Sequence, residues 1–137
     1  MAADKELVKE LAQTDLFGGV GKKGINAIAN QARVVNHPAG REIVEEGGGA
    51  AAFHLIRSGT ASVQVGDKRR PDIGPGDYFG EISLIDGLPR SASVKAETPL
   101  TTISLLSWHL HSLLDEHPEI ARQLLKVMCA RLRAAER

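Results

Sequence analysis

The sequence predicts an α+β fold that is mainly β, in which a strand-rich middle is flanked by helices at both ends. Between residues 33 and 65, short and partly β-branched segments are separated by Gly or Pro turns at roughly 8–12-residue spacing. Residues 4–31 and 107–137 instead carry apolar side chains at helical spacing. Strands spaced in this way are typical of a sandwich or barrel.

Length and composition limit the class of protein. With 137 residues the chain is predicted to form a single domain, because two ordinary cores would need more. Its 17 basic and 17 acidic residues cancel, which leaves no global field to attract nucleic acid or an anionic membrane. The single cysteine, Cys129, cannot form an internal disulfide and is expected to pack among apolar neighbours. Together with the lack of a signal-peptide or membrane-spanning pattern, this predicts a cytoplasmic protein.

Helices are predicted over the N-terminal 31 residues. The first covers residues 4–13 with Asp4 as its N-cap, and Thr14 caps a short second turn. A glycine-rich linker at 18–21 then leads to another helix. The apolar residues that define the two buried faces are Leu7, Val8, Leu11 and Ala12, followed by Ile25, Ile28 and Ala29.

Short strands are predicted through the middle of the chain, at 33–36, 41–45, 52–57 and 61–65. Residues 73–78 form a tight Gly-Pro turn. Segments 91–96 and 100–105 are predicted to pair with each other across Glu97-Thr98-Pro99. The basic triplet Lys68-Arg69-Arg70 is interpreted as a solvated turn at a strand boundary rather than as a binding patch.

The clearest chemical signal lies in residues 79–92, called the cassette below. Gly80 permits close approach of the backbone to a ligand, and a turn starting at Glu81 would direct free N–H groups at an anion. Arg90 adds a planar, permanently charged fork that suits two phosphate oxygens. Glu81 suits a sugar hydroxyl, since acidic residues accept hydrogen bonds from ribose in dinucleotide sites. Phosphate and ribose recognition on one short segment predict a nucleotide ligand.

The cassette resembles the phosphate-binding cassette of cyclic nucleotide-binding domains, the sensors of cAMP and cGMP. Phe-Gly-Glu-Ile-Ser-Leu-Ile at 79–85 and Pro-Arg-Ser-Ala-Ser-Val at 89–94 follow that family's pattern almost letter for letter. The resemblance implies that Glu81 binds the ribose 2′-hydroxyl and Arg90 the cyclic phosphate. The other implied ligand-binding residues are Gly80, Ile82, Ser83, Ser91 and Ala92. Arg-Ser at 90–91 resembles the sequence of bacterial cAMP receptors, whereas cGMP-selective kinases favour threonine after the arginine. We therefore expect the ligand to be cAMP rather than cGMP.

The resemblance extends over essentially the whole chain. Segments 37–47 and 53–59 look like the family's first strands and the glycine turn that follows them. The family fold implies an eight-stranded antiparallel, jelly-roll-like β-roll over 32–106, with N-terminal helices at 1–31 and a short cassette helix. Hinge and lid helices would follow at 107–137. One departure is Gly48-Gly49-Ala50-Ala51-Ala52, where relatives carry acidic residues, and it affects local rigidity more than binding.

Two C-terminal helices are predicted, one from Ser107 through Leu114 and one that begins at Pro118. Five basic and two acidic residues give the last segment a local charge of +3. Its wide apolar stripe consists of Ile120, Ala121, Leu124, Leu125, Val127, Met128, Cys129 and Leu132. In the family this helix moves over the ligand and often pairs with its copy, so a homodimer through 118–136 and ordinary core packing both stay open. Candidates to cover the base are Arg131, Leu132 and Arg133.

The residue pattern supports neither catalysis nor metal binding. The histidines do not form a metal set, since His109 and His111 point away from each other in a helix, and a surface or partly packed role is expected for them all. No Ser-His-Asp or Cys-His arrangement can be proposed, and Glu81 has no paired carboxylate. We therefore expect no enzyme activity, no cofactor and no metal.

The sequence thus predicts a non-catalytic sensor that binds cAMP and signals through its C-terminal helix to an unidentified effector protein. Direct DNA binding is not expected, because the helix-turn-helix of DNA-binding relatives would follow the helix that ends at Arg137. No membrane association is expected either. The alternatives are a scaffold or dimerisation module of the same fold that binds no nucleotide, and a regulatory part of a larger protein.

Overall fold

The computed structural model describes residues 4–44, 52–80 and 92–136. Described residues 4–31 and 109–136 form a compact helical unit, and those within 32–108 form a compact strand unit. The single domain over residues 1–137 stays a prediction.

Four helices are present in the described part of the chain: α1 Lys5–Ala12, α2 Lys22–Gln31, α3 Ser107–Glu116 and α4 Pro118–Ala135. Asp4 caps α1 as predicted, because its carboxylate accepts a hydrogen bond from the Glu6 backbone N–H at 2.8 Å. The Thr14 hydroxyl likewise accepts from the Phe17 N–H at 3.1 Å, which confirms the second predicted cap. Pro118 occupies the first turn of α4, where no intrahelical donor is lost.

The apolar stripe of α4 divides into a buried and an exposed part. Ile120, Leu124 and Val127 are buried. Leu125 and Leu132 are 67% and 63% exposed. Cys129 is exposed as well, so the expectation that it packs in a core is wrong. The stripe is wider than the face that a helix needs for docking on one surface, and the exposed side of α4 carries the surplus.

The described residues of the strand unit form two antiparallel four-stranded sheets. Sheet A has the order β1-β8-β3-β6, and sheet B has the order β2-β7-β4-β5. The strands are β1 Arg33–His37, β2 Glu42–Val44, β3 Ala52–Ser58, β4 Ala61–Val65, β5 Lys68–Ile73, β6 Tyr78–Phe79, β7 Ser93–Ala96 and β8 Leu100–Leu106. The predicted strands of the middle segment are therefore confirmed to within a residue or two, except at residue 45, which lies outside the described ranges.

The predicted pairing of 91–96 with 100–105 is wrong. β7 lies between β2 and β4 in sheet B, whereas β8 lies between β1 and β3 in sheet A. The segment between them is a corner, because the backbone N–H groups of Glu97 and Thr98 donate to the Thr60 carbonyl at 3.0 and 3.4 Å. Bonded to the β3–β4 turn in this way, the corner carries the chain from one sheet to the other.

The basic triplet at 68–70 belongs to a strand, which corrects its interpretation as a turn. Among the described strands, β5 lies at the edge of sheet B and pairs with β4 alone, and its residues up to Asp72 are exposed. Pro71 is tolerated there because the register shifts between Ala61 and Val63, and a proline is accommodated at such an irregularity of an edge strand. The triplet is solvated, as expected.

The core of the strand unit lies between the two sheets. Sheet A contributes Ile56, Phe79 and Leu100, and sheet B contributes Ala61, Val94 and Ala96. Ile43, Val63 and Ile73 pack against this cluster. Face-to-face packing of two antiparallel sheets around one apolar layer is the predicted architecture.

Candidate functional site

Both ends of the cassette are held by the core of the strand unit. Phe79, the first cassette residue, lies in edge strand β6 of sheet A, and the residue after the cassette opens β7 of sheet B. Phe79 and Val94 belong to the same buried cluster and are 7% and 2% exposed. The cassette therefore links the two sheets, and its ends are fixed in position by shared packing.

A tight turn leads the chain into the cassette, as predicted for 73–78. The Asp77 side chain accepts from the Gly74 N–H at 2.9 Å. The turn is fastened to β3, because Ile56 donates its N–H to the Asp77 carbonyl and accepts from the Gly76 N–H, both at 2.9 Å. These bonds place Tyr78 and Phe79 beside β3.

Gly80 adopts a backbone conformation that favours glycine. Its φ is +87°, in the left-handed region that L side chains rarely adopt. Glycine is therefore required by the conformation of the chain where it leaves β6. Close approach of its backbone to a ligand stays a prediction.

Most of the predicted ligand contacts lie outside the described residues. Glu81, Ile82, Ser83, Arg90 and Ser91 fall within 81–91, and the predicted cassette helix lies there too. Gly80 and Ala92, on either side of that range, are both half-buried. The roles assigned to these seven residues stay predictions.

The candidate base-covering residues lie on α4, in the helical unit. Arg131 is half-buried, and Leu132 and Arg133 are exposed. Arg131 also lines an open groove, together with Asp15 and Lys126, and the volume of this groove is about 470 Å³. Their contact with a base stays a prediction.

A group of buried polar side chains was missed by the sequence analysis. His37 on β1, His54 on β3, and Thr102 and Ser104 on β8 are all buried, and we call them the histidine network. They lie on the core-facing side of sheet A, because His37 pairs in register with Leu100 and Thr102 with Ile56. Thr102 and Ser104 alternate with the buried apolar Ile103 and Leu105, and this period-2 pattern would ordinarily place the two hydroxyls on a solvent-facing side, so nothing in the sequence signalled their burial.

Hydrogen bonds connect the histidine network from end to end. His54 Nδ1 lies 2.7 Å from Ser104 Oγ, Ser104 Oγ lies 3.0 Å from Thr102 Oγ1, and Thr102 Oγ1 lies 3.0 Å from His37 Nε2. The two histidine rings meet edge to face with centroids 5.8 Å apart. The expected surface or partly packed role is therefore wrong for these two histidines.

Two effects disfavour the charged form of His37. Burial lowers its pKa below the ordinary value of 6.5, and the positive charge of Arg41 lowers that pKa further. Among the described residues, no group forms a hydrogen bond with its buried Nδ1 atom.

In the described residues, no group of three or more His, Cys, Asp or Glu side chains could hold a metal ion. Over the same ranges, every helix is too short or too polar to span a bilayer.

The chain belongs to the cyclic nucleotide-binding domain family, whose model matches residues 34–117 and so includes the cassette. It is 35% identical over 131 residues to a CRP-like cAMP-activated global transcriptional regulator of Mycobacterium tuberculosis, an alignment that covers 90% of this chain and 57% of the regulator. It is 40% identical over 80 residues to a cAMP-dependent protein kinase regulatory subunit of Aspergillus fumigatus, covering 57% of this chain and 19% of the subunit. The chain thus spans little more than half of the first relative and a fifth of the second.

The fold is shared with solved structures. The N-terminal domain of a transcriptional regulator from Streptomyces coelicolor A3(2) superposes with a TM-score of 0.80 at 24% identity, over 92% of this chain and 94% of that one. The eight strands described here in two antiparallel sheets, flanked by helices, confirm the predicted β-roll. The family and its named relatives place the chain among regulatory domains.

Proposed function

We propose that this chain binds cAMP through the cassette and acts as a non-catalytic sensor. The observation that carries the proposal is the family match over 34–117, which includes the Gly80-Glu81 and Pro89-Arg90 pairs of the cassette. The anchoring of both cassette ends in one core supports it, since a fixed separation preorganises a small anion site. One named relative is a cAMP-activated transcriptional regulator, and the other is a regulatory subunit of a cAMP-dependent protein kinase.

In the proposed complex, Arg90 holds the cyclic phosphate and Glu81 accepts a hydrogen bond from the ribose 2′-hydroxyl. Gly80, Ile82, Ser83, Ser91 and Ala92 complete the contacts, and Arg131, Leu132 and Arg133 are the proposed base contacts. The ligand then shifts α4 between two arrangements, which requires that cAMP binds one of them more tightly. The output passes to an effector protein. An exposed thiol at Cys129 fits the reducing cytoplasm that we propose as its location.

Isothermal titration of the full chain with cAMP, cGMP and AMP tests the proposal. We expect saturable heat with cAMP, a weaker response with cGMP and a much weaker one with AMP. If none of the three gives heat or a thermal shift, the chain is a scaffold of the same fold, and the sensor proposal is wrong.

A homodimer through 118–136 is proposed in addition, because α4 exposes a continuous apolar strip. Leu125, Cys129 and Leu132 lie at i, i+4 and i+7 on one side of the helix and are all exposed. This spacing suits the same strip on a second copy. Leu124 is buried, so a substitution there would perturb folding rather than association.

Sedimentation of wild type beside Leu125→Asp tests the homodimer. Ala130→Asp is the matched control, because it adds the same charge at an exposed position of α4 away from the strip. We expect a dimer for wild type and for the control, and a monomer for Leu125→Asp. A monomer in all three removes the proposal.

A further inference from the structure

We propose that the groove lined by Asp15, Lys126 and Arg131 receives an acidic amphipathic helix of the effector protein. This inference rests on the proposed function and deepens it by giving the chemistry of the partner. The groove belongs to the helical unit alone, because all of its lining residues lie within 4–31 and 109–136. Two features of α4 carry the inference: the floor of the groove and a row of cations beside it.

The floor of the groove is a mostly apolar face of α4. Val127, Ala130 and Ala134 lie at i, i+3 and i+7, so they share one side of the helix. The two alanines let another backbone approach closely, because the distance between packed helices depends on the side chains between them. From Gln123 to Ala134 the lined face is about 16 Å long, or about three turns. An open groove of this length suits the apolar face of a helix better than an enclosed small molecule.

A row of cations, called the basic ridge below, borders this floor. Arg122, Lys126 and Arg133 lie at i, i+4 and i+11 on α4, so they follow one line along the helix, and all three are exposed. Lys126 also lines the groove. Among the residues that the structure describes, no carboxylate forms an ion pair with any of the three. Neighbouring like charges on a helix repel each other, so an acidic partner would relieve this repulsion.

The floor and the basic ridge together select the partner. They fit a helix whose apolar residues recur at i, i+3 or i+4 and whose acidic residues flank that face. Nucleic acid would use the ridge but leave the apolar floor empty, and the 17 basic and 17 acidic residues of the chain supply no wider positive field. An anionic bilayer would use the ridge with the apolar strip around Leu125, on the side of α4 away from the groove. The acidic helix is the occupant that uses both features.

The groove should respond to cAMP because α4 forms its floor. Asp15, in the segment between α1 and α2, lines the groove from outside that helix. A shift of α4 therefore changes the width of the groove, and the partner binds the two arrangements of α4 with different affinity. By linkage, the partner and cAMP then change each other's affinity by the same factor.

Selection of displayed peptides on the full chain, with and without cAMP, tests this inference. The library consists of random peptides of about 16 residues, longer than the three turns that the groove spans. We expect the selected peptides to share apolar residues at helical spacing and acidic residues beside them. A labelled synthetic copy of one such peptide then gives the affinity by fluorescence anisotropy. This affinity should change when cAMP is added and should fall with rising salt.

Two variants separate the floor from the basic ridge. Ala130→Asp places an unpaired charge on the floor and should weaken peptide binding about a hundredfold or more. The double variant Arg122→Glu/Lys126→Glu reverses exposed charges at the rim, so it should weaken binding about tenfold and reduce its salt dependence. Leu125→Asp is the matched control for Ala130→Asp, since it adds the same charge on the opposite side of α4 and should keep the wild-type peptide affinity. Urea unfolding checks that each variant is folded.

A cAMP titration of the same samples separates this inference from the proposed function. Ala130→Asp and the double variant should bind cAMP like wild type, because none of their residues is a proposed cAMP contact. Absence of cAMP binding by folded wild type would contradict the proposed function, whatever the peptides show. With normal cAMP binding, this inference alone is wrong if no acidic amphipathic peptide is selected, if the peptide binds Ala130→Asp as tightly as wild type, or if its affinity ignores cAMP. Binding of phosphatidylserine vesicles or duplex DNA in preference to every selected peptide would contradict it as well.

Discussion

Replacing Gly80 by alanine should weaken both the fold and the proposed ligand site. At a φ of +87° an added Cβ approaches the neighbouring carbonyl oxygen, which costs roughly 1–2 kcal/mol. Alanine also reduces the entropy of the unfolded chain, which returns roughly 0.4–1 kcal/mol. The net loss of unfolding free energy is then about 1 kcal/mol, or about fivefold in the folding equilibrium.

The effect on binding should be larger than the effect on stability. Relief of the strain moves Gly80 out of the left-handed region and displaces Glu81, the next residue of the cassette. A lost hydrogen bond to a charged group corresponds to about 1.5–3 kcal/mol, so cAMP affinity should fall tenfold or more. Urea unfolding gives the first quantity and isothermal titration the second.

Two other glycines serve as matched controls. Gly40 has the same φ of +87°, and a Cβ there meets nothing within 4 Å, so Gly40→Ala should cost the same stability and leave cAMP affinity unchanged. Gly74 lies outside the left-handed region and a Cβ there would make only ordinary contacts, at 3.9 Å or more, so Gly74→Ala should leave stability unchanged or slightly raised. If Gly80→Ala matches Gly74→Ala in both measurements, the strain argument is wrong. Equal affinity losses at Gly80 and Gly40 would show that the effect is not specific to the cassette.

Three further predictions concern charge and protonation. Arg90→Ala should cost about 2–5 kcal/mol of cAMP binding, the range for truncating one partner of a buried charge pair, whereas Arg70→Ala on exposed β5 should cost almost nothing by the same titration. Glu81→Ala should weaken cAMP more than 2′-deoxy-cAMP, and equal losses for the two ligands would remove the ribose contact. Wild-type unfolding free energy in urea should be constant above about pH 6.5 and fall below it, because the pKa of His37 is lowered in the folded state and the unfolded chain binds more protons there. His37→Gln should reduce that slope, and an unchanged slope would assign it to other groups.

Features that depend on neighbours in sequence were predicted well. The Asp4 and Thr14 caps and the Pro118 helix start each follow from residue types within one turn, and all three are confirmed. Gly80 was singled out because it permits close approach of the backbone to a ligand, and its observed φ of +87° adds a conformational reason for glycine that was not predicted.

Strand partners could not be predicted in the same way. The segment at 97–99 has the length and composition of a hairpin turn, yet it forms a corner between sheets because Thr60 takes its backbone donors. Thr60 is far away in sequence, and nothing within 97–99 indicates the bond. The basic triplet was misassigned for a related reason, since only the pairing with β4 makes it part of a strand.

Burial of polar residues was the other failure. His37 and His54 alone gave no reason to expect burial, because their partners Thr102 and Ser104 lie about 50 residues or more further along the chain. Cys129 was expected to pack because its sequence neighbours are apolar, but α4 has more apolar residues than its buried face accommodates.

The central claim is that the cassette binds cAMP, and retention of labelled cAMP tests it most directly. The protein is equilibrated with labelled cAMP, washed and denatured, and the released nucleotide is counted with Arg90→Ala treated in parallel. We predict that about one labelled cAMP is retained per wild-type chain, that unlabelled cAMP displaces it more readily than cGMP does, and that Arg90→Ala retains little. Folded wild type that retains no cAMP, or equal retention by Arg90→Ala, would contradict the central claim.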